Sequence, residues 1–276
     1  MGQIVSEMQR TTLARGCVAL WWLGQASFAV KGSRVVYIDP FLSDGAARLR
    51  PAPLRPHEVT NADLVLVTHE HLDHLDPATL GPLAQASPRA RVLAPALIVD
   101  QVERAGVPRE RVVPITVGET WTDGDVRVTP VPAMHALHPA VEGHRYYTAL
   151  PGERGYRFVG YVVETNGVTL YHSGDTVMFE GLIEAVRPLR PDVALLPING
   201  RDYFREQQDI AGNLDAAEAA EVGVAIGAEV IVPMHYGMFA RNTVPASRFV
   251  EYVESRYPEQ GVLVLPHGRR FVYAKG

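Results

Sequence analysis

The order of apolar runs and turn residues predicts an α/β (α+β) fold, a four-layer αββα sandwich with two sheets face to face and helices outside. Two observations carry this expectation. Strand-like runs fall into two groups along the chain, and helical patterns accompany both groups. A third, the early hairpins, argues against a single doubly wound parallel sheet.

The first group is "CVALWWL", "SFAVKG", "RVVYIDP" and "DLVLVT", separated by Gly, Ser and Pro turns. Helical patterns follow in "ATLGPLAQA" and "ALIVDQVERAG", the latter with Gly106 placed as a stop. Then come "RVVPI", "DVRVTPVP", "RFVGYVVET" and "VTLYHSG"; the "TNG" between the last two reads as a tight hairpin turn. Strand and helix then alternate through "DVALLP", "LDAAEAAEVGVAIGA", "EVIVPM", "ASRFVEYVESRY" and "GVLVL". The Ala-rich stripe is read as core packing. No linker, repeat or low-complexity segment divides the chain, so residues 1–276 are expected to form one domain. The longest non-periodic stretch runs from about 136 to 157, and long loops in compact domains are often functional.

Composition narrows the function. Hydrophobic content of 47% with 21% charged residues is that of a globular enzyme. A net charge of -5 argues against a general nucleic-acid binder but leaves room for a local basic pocket. The lone cysteine, Cys17, excludes an internal disulfide and a Cys-rich metal site. With no secretory signal and no membrane-length apolar run, a cytoplasmic protein without membrane or nucleic-acid partners is expected.

The chemistry concentrates where "DLVLVT" ends. The stretch "HEHLDH" places His69, His71, Asp73 and His74 on the turn that follows an apolar strand, so four side chains project from rigid backbone into a small volume. Three more apolar strands end in a ligand-type residue: His135 in "VPAMHALH", Asp175 in "LYHSGDT" and His235 in "VIVPMHYG". Imidazoles and carboxylates without thiolates suit a catalytic Zn²⁺, Mn²⁺ or Fe²⁺ site. Seven such side chains approach what two adjacent ions need.

This motif order resembles the metallo-β-lactamase superfamily, whose fold is an αββα sandwich with the site at one edge. The resemblance implies one metal on His69, His71 and His135, a second on Asp73, His74 and His235, and Asp175 bridging them. No motif position departs from the pattern. His71 stands where the diiron flavoproteins of the superfamily carry glutamate, which weighs against redox chemistry, and His74 separates the chain from antibiotic-hydrolysing members that lack it. More narrowly, "LWWLGQASFAVKGSRVVYIDPFLSD", "YRFVGYVVETNGVTLYHSGDT", "LLPINGRD" and "GNLDAAEAAEVGVAIGAEVIVPMHYGMF" look like the L-ascorbate-6-phosphate lactonase-like branch. That likeness implies a hydrolase with two divalent ions per chain, Mn²⁺ or Zn²⁺, opening a small phosphorylated or acidic sugar lactone through a metal-bridging hydroxide. The alternative is a phosphodiesterase acting on a small-molecule or lipid phosphodiester. Homo-oligomerisation is expected by analogy alone.

Asp73 and Asp175 are the expected catalytic carboxylates, and either Asp175 or a water would protonate the leaving alkoxide. Asp39 either orients an imidazole or forms a turn before Pro40, and His172 is either an orienting group or a buried structural histidine. His57 and His267 carry no supporting context. For substrate binding, Arg145, Tyr146 and Tyr147 lie in the long loop, and Asn199, Gly200, Arg201 and Asp202 follow "DVALLP". An arginine of either segment could clamp a phosphate or carboxylate, unless Arg201 pairs with Asp202 or another acid. His138 is a further pocket or loop histidine.

Overall fold

The computed structural model describes residues 2–45, 47–135, 155–208, 210 and 212–276. A short helix, α1 (Gln3–Arg10), precedes a meander of β1 (Cys17–Gly24), β2 (Ser27–Lys31) and β3 (Val35–Ile38). Next come β4 (Leu64–Leu66), α2 (Pro77–Ala86), β5 (Arg91–Pro95), α3 (Val99–Arg104) and β6 (Val112–Ile115). The second half holds β7 (Trp121–Asp123), β8 (Val126–Pro132), β9 (Val159–Thr165), β10 (Val168–His172), α4 (Leu182–Val186), β11 (Val193–Pro197), α5 (Tyr203–Glu206) and α6 (Ala216–Ala225). It closes with β12 (Val230–Met234), α7 (Ala246–Arg256), β13 (Gly261–Val262) and β14 (Arg270–Ala274).

The strands form two seven-stranded sheets, ordered β14-β1-β2-β3-β4-β5-β6 and β13-β12-β11-β10-β9-β8-β7. Each is mixed. In the first sheet β14, β1, β2 and β3 pair antiparallel and β3 to β6 parallel. In the second, β7 to β10 are antiparallel and β10 to β13 parallel. Helices flank both, which is the expected αββα arrangement.

The pleat explains why β1 reads as an unbroken apolar run. Val18, Leu20 and Trp22 belong to the core between the sheets, whereas Ala19, Trp21 and Leu23 belong to a second core under the flanking helices. A strand buried on both faces has no polar alternation to show. The "TNG" turn is a two-residue hairpin loop: Thr165 pairs with Val168, and Asn166 and Gly167 take φ of 51° and 84°.

Three features differ from expectation. "GVLVL" contributes only Gly261–Val262 to a ladder. The strand β14 and the helix α1 were not expected; α1 buries Ile4, Val5 and Met8. Of the expected loop at 136–157, residues 136–154 lie outside the described residues.

The topology gathers the ligand-type residues. β4, β8, β10 and β12 all end just before the positions singled out in the sequence, and β3 ends just before Asp39. Cross-sheet bonds tie that edge together: the Tyr161 hydroxyl donates to the Val67 carbonyl at 2.7 Å, and Val159 N–H to the Thr68 carbonyl at 3.2 Å.

One core hydroxyl gains nothing from its position. Tyr171 on β10 is fully buried, and its phenolic oxygen has no hydrogen-bond partner among the described residues. Tyr171→Phe should therefore keep or raise stability, by up to about 1 kcal/mol, in urea unfolding. A loss of that size instead would show that the hydroxyl is bonded in solution.

Candidate metal centre

The chain turns sharply after β4. His74 N–H and Leu75 N–H both reach the His71 carbonyl, at 2.9 and 2.7 Å, and Asp76 then caps α2 by accepting the Ala78 N–H at 3.0 Å. That turn brings His69, His71, Asp73 and His74 to the edge of the sandwich, where His135, Asp175 and His235 arrive from the other sheet.

The seven side chains meet. His69, His71 and His135 form one cluster of ligand atoms, Asp73, His74 and His235 another, and His69, His74 and Asp175 a third that joins them. Asp175 Oδ1 lies 3.3 Å from His74 Nε2, while its Oδ2 lies 3.4 Å from His135 Nε2 and 3.1 Å from His235 Nε2. Asp73 Oδ2 is 3.5 Å from His235 Nε2. Two ligands about 2.05 Å from a tetrahedral ion lie roughly 3.3 Å apart, so these separations suit a shared cation. His74 Nε2 and Asp175 Oδ1 face each other, fully shielded from solvent, with no hydrogen bond to either. In the metal-free chain charge alone compensates the pair, and a cation between the two atoms would take the place of the His74 proton.

Surrounding groups fix each ring. Asp39 is fully buried; its carboxylate accepts the Thr68 N–H at 2.8 Å and hydroxyl at 2.7 Å and lies 2.7 Å from His74 Nδ1. It therefore orients His74, leaving Nε2 to face Asp175. The His135 Nδ1–H donates to the Gly212 carbonyl at 3.2 Å, again leaving Nε2 for the centre. His172 accepts the Gly174 N–H on Nδ1 at 3.1 Å and donates from Nε2 to the Ala26 carbonyl at 2.8 Å. It holds the turn that carries Asp175. Phe158 packs against His69, His71 and His135, with ring centroids 5.1, 5.8 and 5.6 Å away.

The residue that sequence reasoning missed is Gln25. Fully buried, it donates from Nε2 to Asp73 Oδ2 at 2.9 Å and lies 3.1 Å from His235 Nε2, while its carbonyl accepts the His235 N–H at 3.0 Å. Gln25, Asp39 and His235 all have left-handed backbones, with φ of 53°, 44° and 60°. Non-glycine residues there cost about 1–3 kcal/mol each and cluster at working sites. The signal available was "LGQAS", a polar residue with small neighbours between two apolar strands.

Charge is divided across the centre. Burial holds His69 and His135 below the ordinary imidazole value and takes His71 down to about 3, with neighbouring imidazoles adding to the effect at His69 and His71. Burial would lower His74 and His235 too, but Asp175, helped by Asp73 and in the case of His74 by Asp39, outweighs it. His74 stands well above its ordinary value and His235 is raised to about 9. Burial pushes Asp73 and Asp175 upward, yet the facing imidazoles win and both carboxyls stay below the usual range.

A cleft of about 590 Å³ opens onto His71, Asp73, His135, Asp175 and His235, with Phe41, Leu72 and Phe239 as apolar wall and Arg157, Arg241 and Asn242 as polar wall. Arg157 donates to Glu70. The substrate residues expected from the sequence lie elsewhere. His138, Arg145, Tyr146 and Tyr147 are outside the described residues. Asn199 and Arg201 line a neighbouring cleft. The Arg201 guanidinium grips Glu218 through two bonds of 2.6 and 2.7 Å and donates to the Asn213 carbonyl at 3.2 Å. It braces the loop whose Gly212 carbonyl orients His135, and Gly212 has no room for a Cβ against the Arg201 side chain. Buried Asn199 donates to Asn242 Oδ1 at 2.7 Å and accepts from Asn213 at 3.1 Å. His57 sits in a short 3₁₀ turn, and His267 Nε2 lies 3.0 Å from the Leu23 carbonyl.

Comparison with known proteins agrees with this geometry. Residues 34–236 match a family described as the beta-lactamase superfamily domain. A UPF0173 metal-dependent hydrolase of Methanoculleus marisnigri is 36% identical over 80% of this chain and 81% of that protein. Another from Archaeoglobus fulgidus is 34% identical over 92% of this chain and 98% of its own length. Among solved structures, Igni18, a novel metallo hydrolase from Ignicoccus hospitalis, aligns with a TM-score of 0.71 over 94% of this chain and 100% of that one, at 23% identity.

Two outcomes follow from the geometry. In chelator-treated protein at neutral pH, His74 and His235 carry protons because their values are raised, and a ligand must be deprotonated. Metal uptake should therefore release protons, and apparent affinity should climb with pH up to about 9; calorimetry in two buffers of different ionisation enthalpy reads both. Gln25→Ala should weaken metal binding by roughly 10–100-fold with the fold retained, measured by competition with a chelator.

Proposed function

Starting from the chain's membership of the metallo-β-lactamase superfamily and, within it, of the UPF0173 metal-dependent hydrolases, we propose a dinuclear hydrolase that opens a small phosphorylated or acidic sugar lactone. The observation that carries the two-ion reading is the pair of ligand clusters joined at Asp175. The lactone reading rests on the likeness of four stretches to the L-ascorbate-6-phosphate lactonase-like branch.

His69, His71 and His135 would hold one ion, Asp73, His74 and His235 the other, and Asp175 would touch both. Divalent ions bound there, Mn²⁺ or Zn²⁺, would supply Lewis acidity and water activated near neutral pH. The chain's own groups do the rest. Asp39 and the Gly212 carbonyl lock the faces of His74 and His135. Phe158 shields three imidazoles from bulk water, which strengthens every charge interaction inside. Hydrolysis adds the water oxygen to the carbonyl carbon, breaks the ring C–O bond and needs one proton for the departing alkoxide. The attacking water is the source of that proton: Asp175, ionised and lining the cleft, would accept it from the water and pass it to the alkoxide, with a second water as the alternative carrier. Among the described residues no helix is long and apolar enough to cross a membrane, and we place the enzyme in the cytoplasm with a small-molecule substrate.

The test is turnover of a lactone panel and of bis-(p-nitrophenyl) phosphate by metal-loaded protein, beside Asp175→Ala and His69→Ala. Both variants should lose at least about 100-fold in kcat/KM, the scale of removing one group that stabilises developing charge. Full activity in both would move the site elsewhere. Turnover of the phosphodiester alone would replace the lactone reading with a phosphodiesterase.

A further inference from the structure

The cleft beside the metal centre carries two arginines that no carboxylate among the described residues neutralises. It encloses about 600 Å³, and four arginines line it, Arg201, Arg205, Arg241 and Arg248, in a chain of net charge -5. Two of them are committed. Arg201 is paired with Glu218. Arg205 is paired with Asp202 and donates from Nη1 to the Asn199 carbonyl at 2.9 Å and to Asn242 Oδ1 at 3.1 Å. The remaining acid of the lining, Asp215, is taken up capping α6, where it accepts the Glu218 N–H at 2.9 Å.

Arg241 and Arg248 are not committed. Arg241 donates to a neutral amide, Gln208 Oε1, at 3.0 Å, and faces no carboxylate within ion-pair distance among the described residues. The Arg248 guanidinium, in the first turn of α7, makes no hydrogen bond or ion pair among them. The N-terminal turns of α6 and α7 both border the cleft, through Ala216 and Ala217 and through Arg248, and α7 has no side-chain cap. Asp215 already meets the dipole of α6, so the uncapped end of α7 is the one that adds positive character.

We propose that this cleft binds the phosphate or carboxylate of the substrate, with Arg241 and Arg248 as its anchor; the proposal rests on the hydrolase reading above and names where the substrate's anionic arm goes. Guanidinium groups bind both oxyanions bidentately. The position fits a substrate that spans two clefts, since Arg241 lines the metal cleft as well. Asn242 forms the partition. It lines the metal cleft while its Oδ1 is held by Asn199 and Arg205 from the other side. A reacting carbonyl at the imidazoles and an anion a few bonds away would straddle it.

Two measurements on the full chain decide. The first follows the melting temperature of chelator-treated protein with inorganic phosphate against chloride at matched ionic strength. Phosphate should raise it in the wild type, and an Arg241→Gln/Arg248→Gln double variant should need at least about tenfold more phosphate for the same rise. Arg241 borders the imidazole centre too, so Arg248→Gln is also measured alone: it leaves the metal cleft unchanged, and phosphate bound only at the imidazoles would respond to it as in the wild type, which overturns the site. An equal response overturns the site, whatever the enzyme hydrolyses. The second compares an anionic lactone with its neutral analogue in metal-loaded protein. The double variant should raise KM at least tenfold more for the anionic one; equal rises would mean that the anion bound in the first measurement is not borne by the substrate. Because the phosphate measurement needs no turnover, failure of the lactone reading and failure of the anion site are told apart.

Discussion

A carboxylate buried among imidazoles governs the design of this protein. Asp175 is only 4% exposed and lies within 3.4 Å of His74, His135 and His235. An ionised carboxyl in that setting is unfavourable unless opposite charge surrounds it, and one removed partner would leave the rest uncompensated. Everything nearby serves to hold the arrangement. His172 fixes the turn, Asp39 and Thr68 fix His74, and the 212–213 loop fixes His135.

Rigid strands make such precision affordable, because each ligand leaves a ladder within three residues of its end or sits on the sharp turn after β4. Where the backbone must bend further, it does so at a cost. Gln25, Asp39 and His235 occupy a region that L-residues avoid, and each is anchored by a hydrogen bond: His235 N–H to Gln25, Asp39 N–H to Leu66 at 2.8 Å, and the Trp22 indole to the Gln25 carbonyl at 2.9 Å. The sandwich core supplies the stability that tolerates this strain.

Much of this was legible in the sequence, for identifiable reasons. Apolar strands ending in ligand-type residues are local patterns, so the seven residues and the two-sheet architecture could be read directly. What escaped depends on distance in sequence. Gln25 contacts Asp73 and His235, 48 and 210 residues away, and its one local mark, a polar residue among small ones, does not say what it touches. Arg201 stayed open between a clamp and an ion pair because its partner, Glu218, belongs to the capping box of α6 rather than to its own segment. The strand β14 escaped because only Tyr273 of its five residues is buried, and "GVLVL" misled because an apolar run does not say how far a ladder extends.

The ligand set is drawn from both sheets: four residues follow β4 of the first, and His135, Asp175 and His235 follow strands of the second. Each ion of the proposed pair would take ligands from both sheets and so would cross-link two halves of the chain as well as serve the chemistry. It shortens the accessible loops of the unfolded ensemble in the way a disulfide does, in a protein whose one cysteine cannot form one internally. Each ion that prefers the folded chain adds stability in proportion to the logarithm of its free concentration over its dissociation constant. The metal supply of the cell would then set how long the protein survives as well as how fast it works.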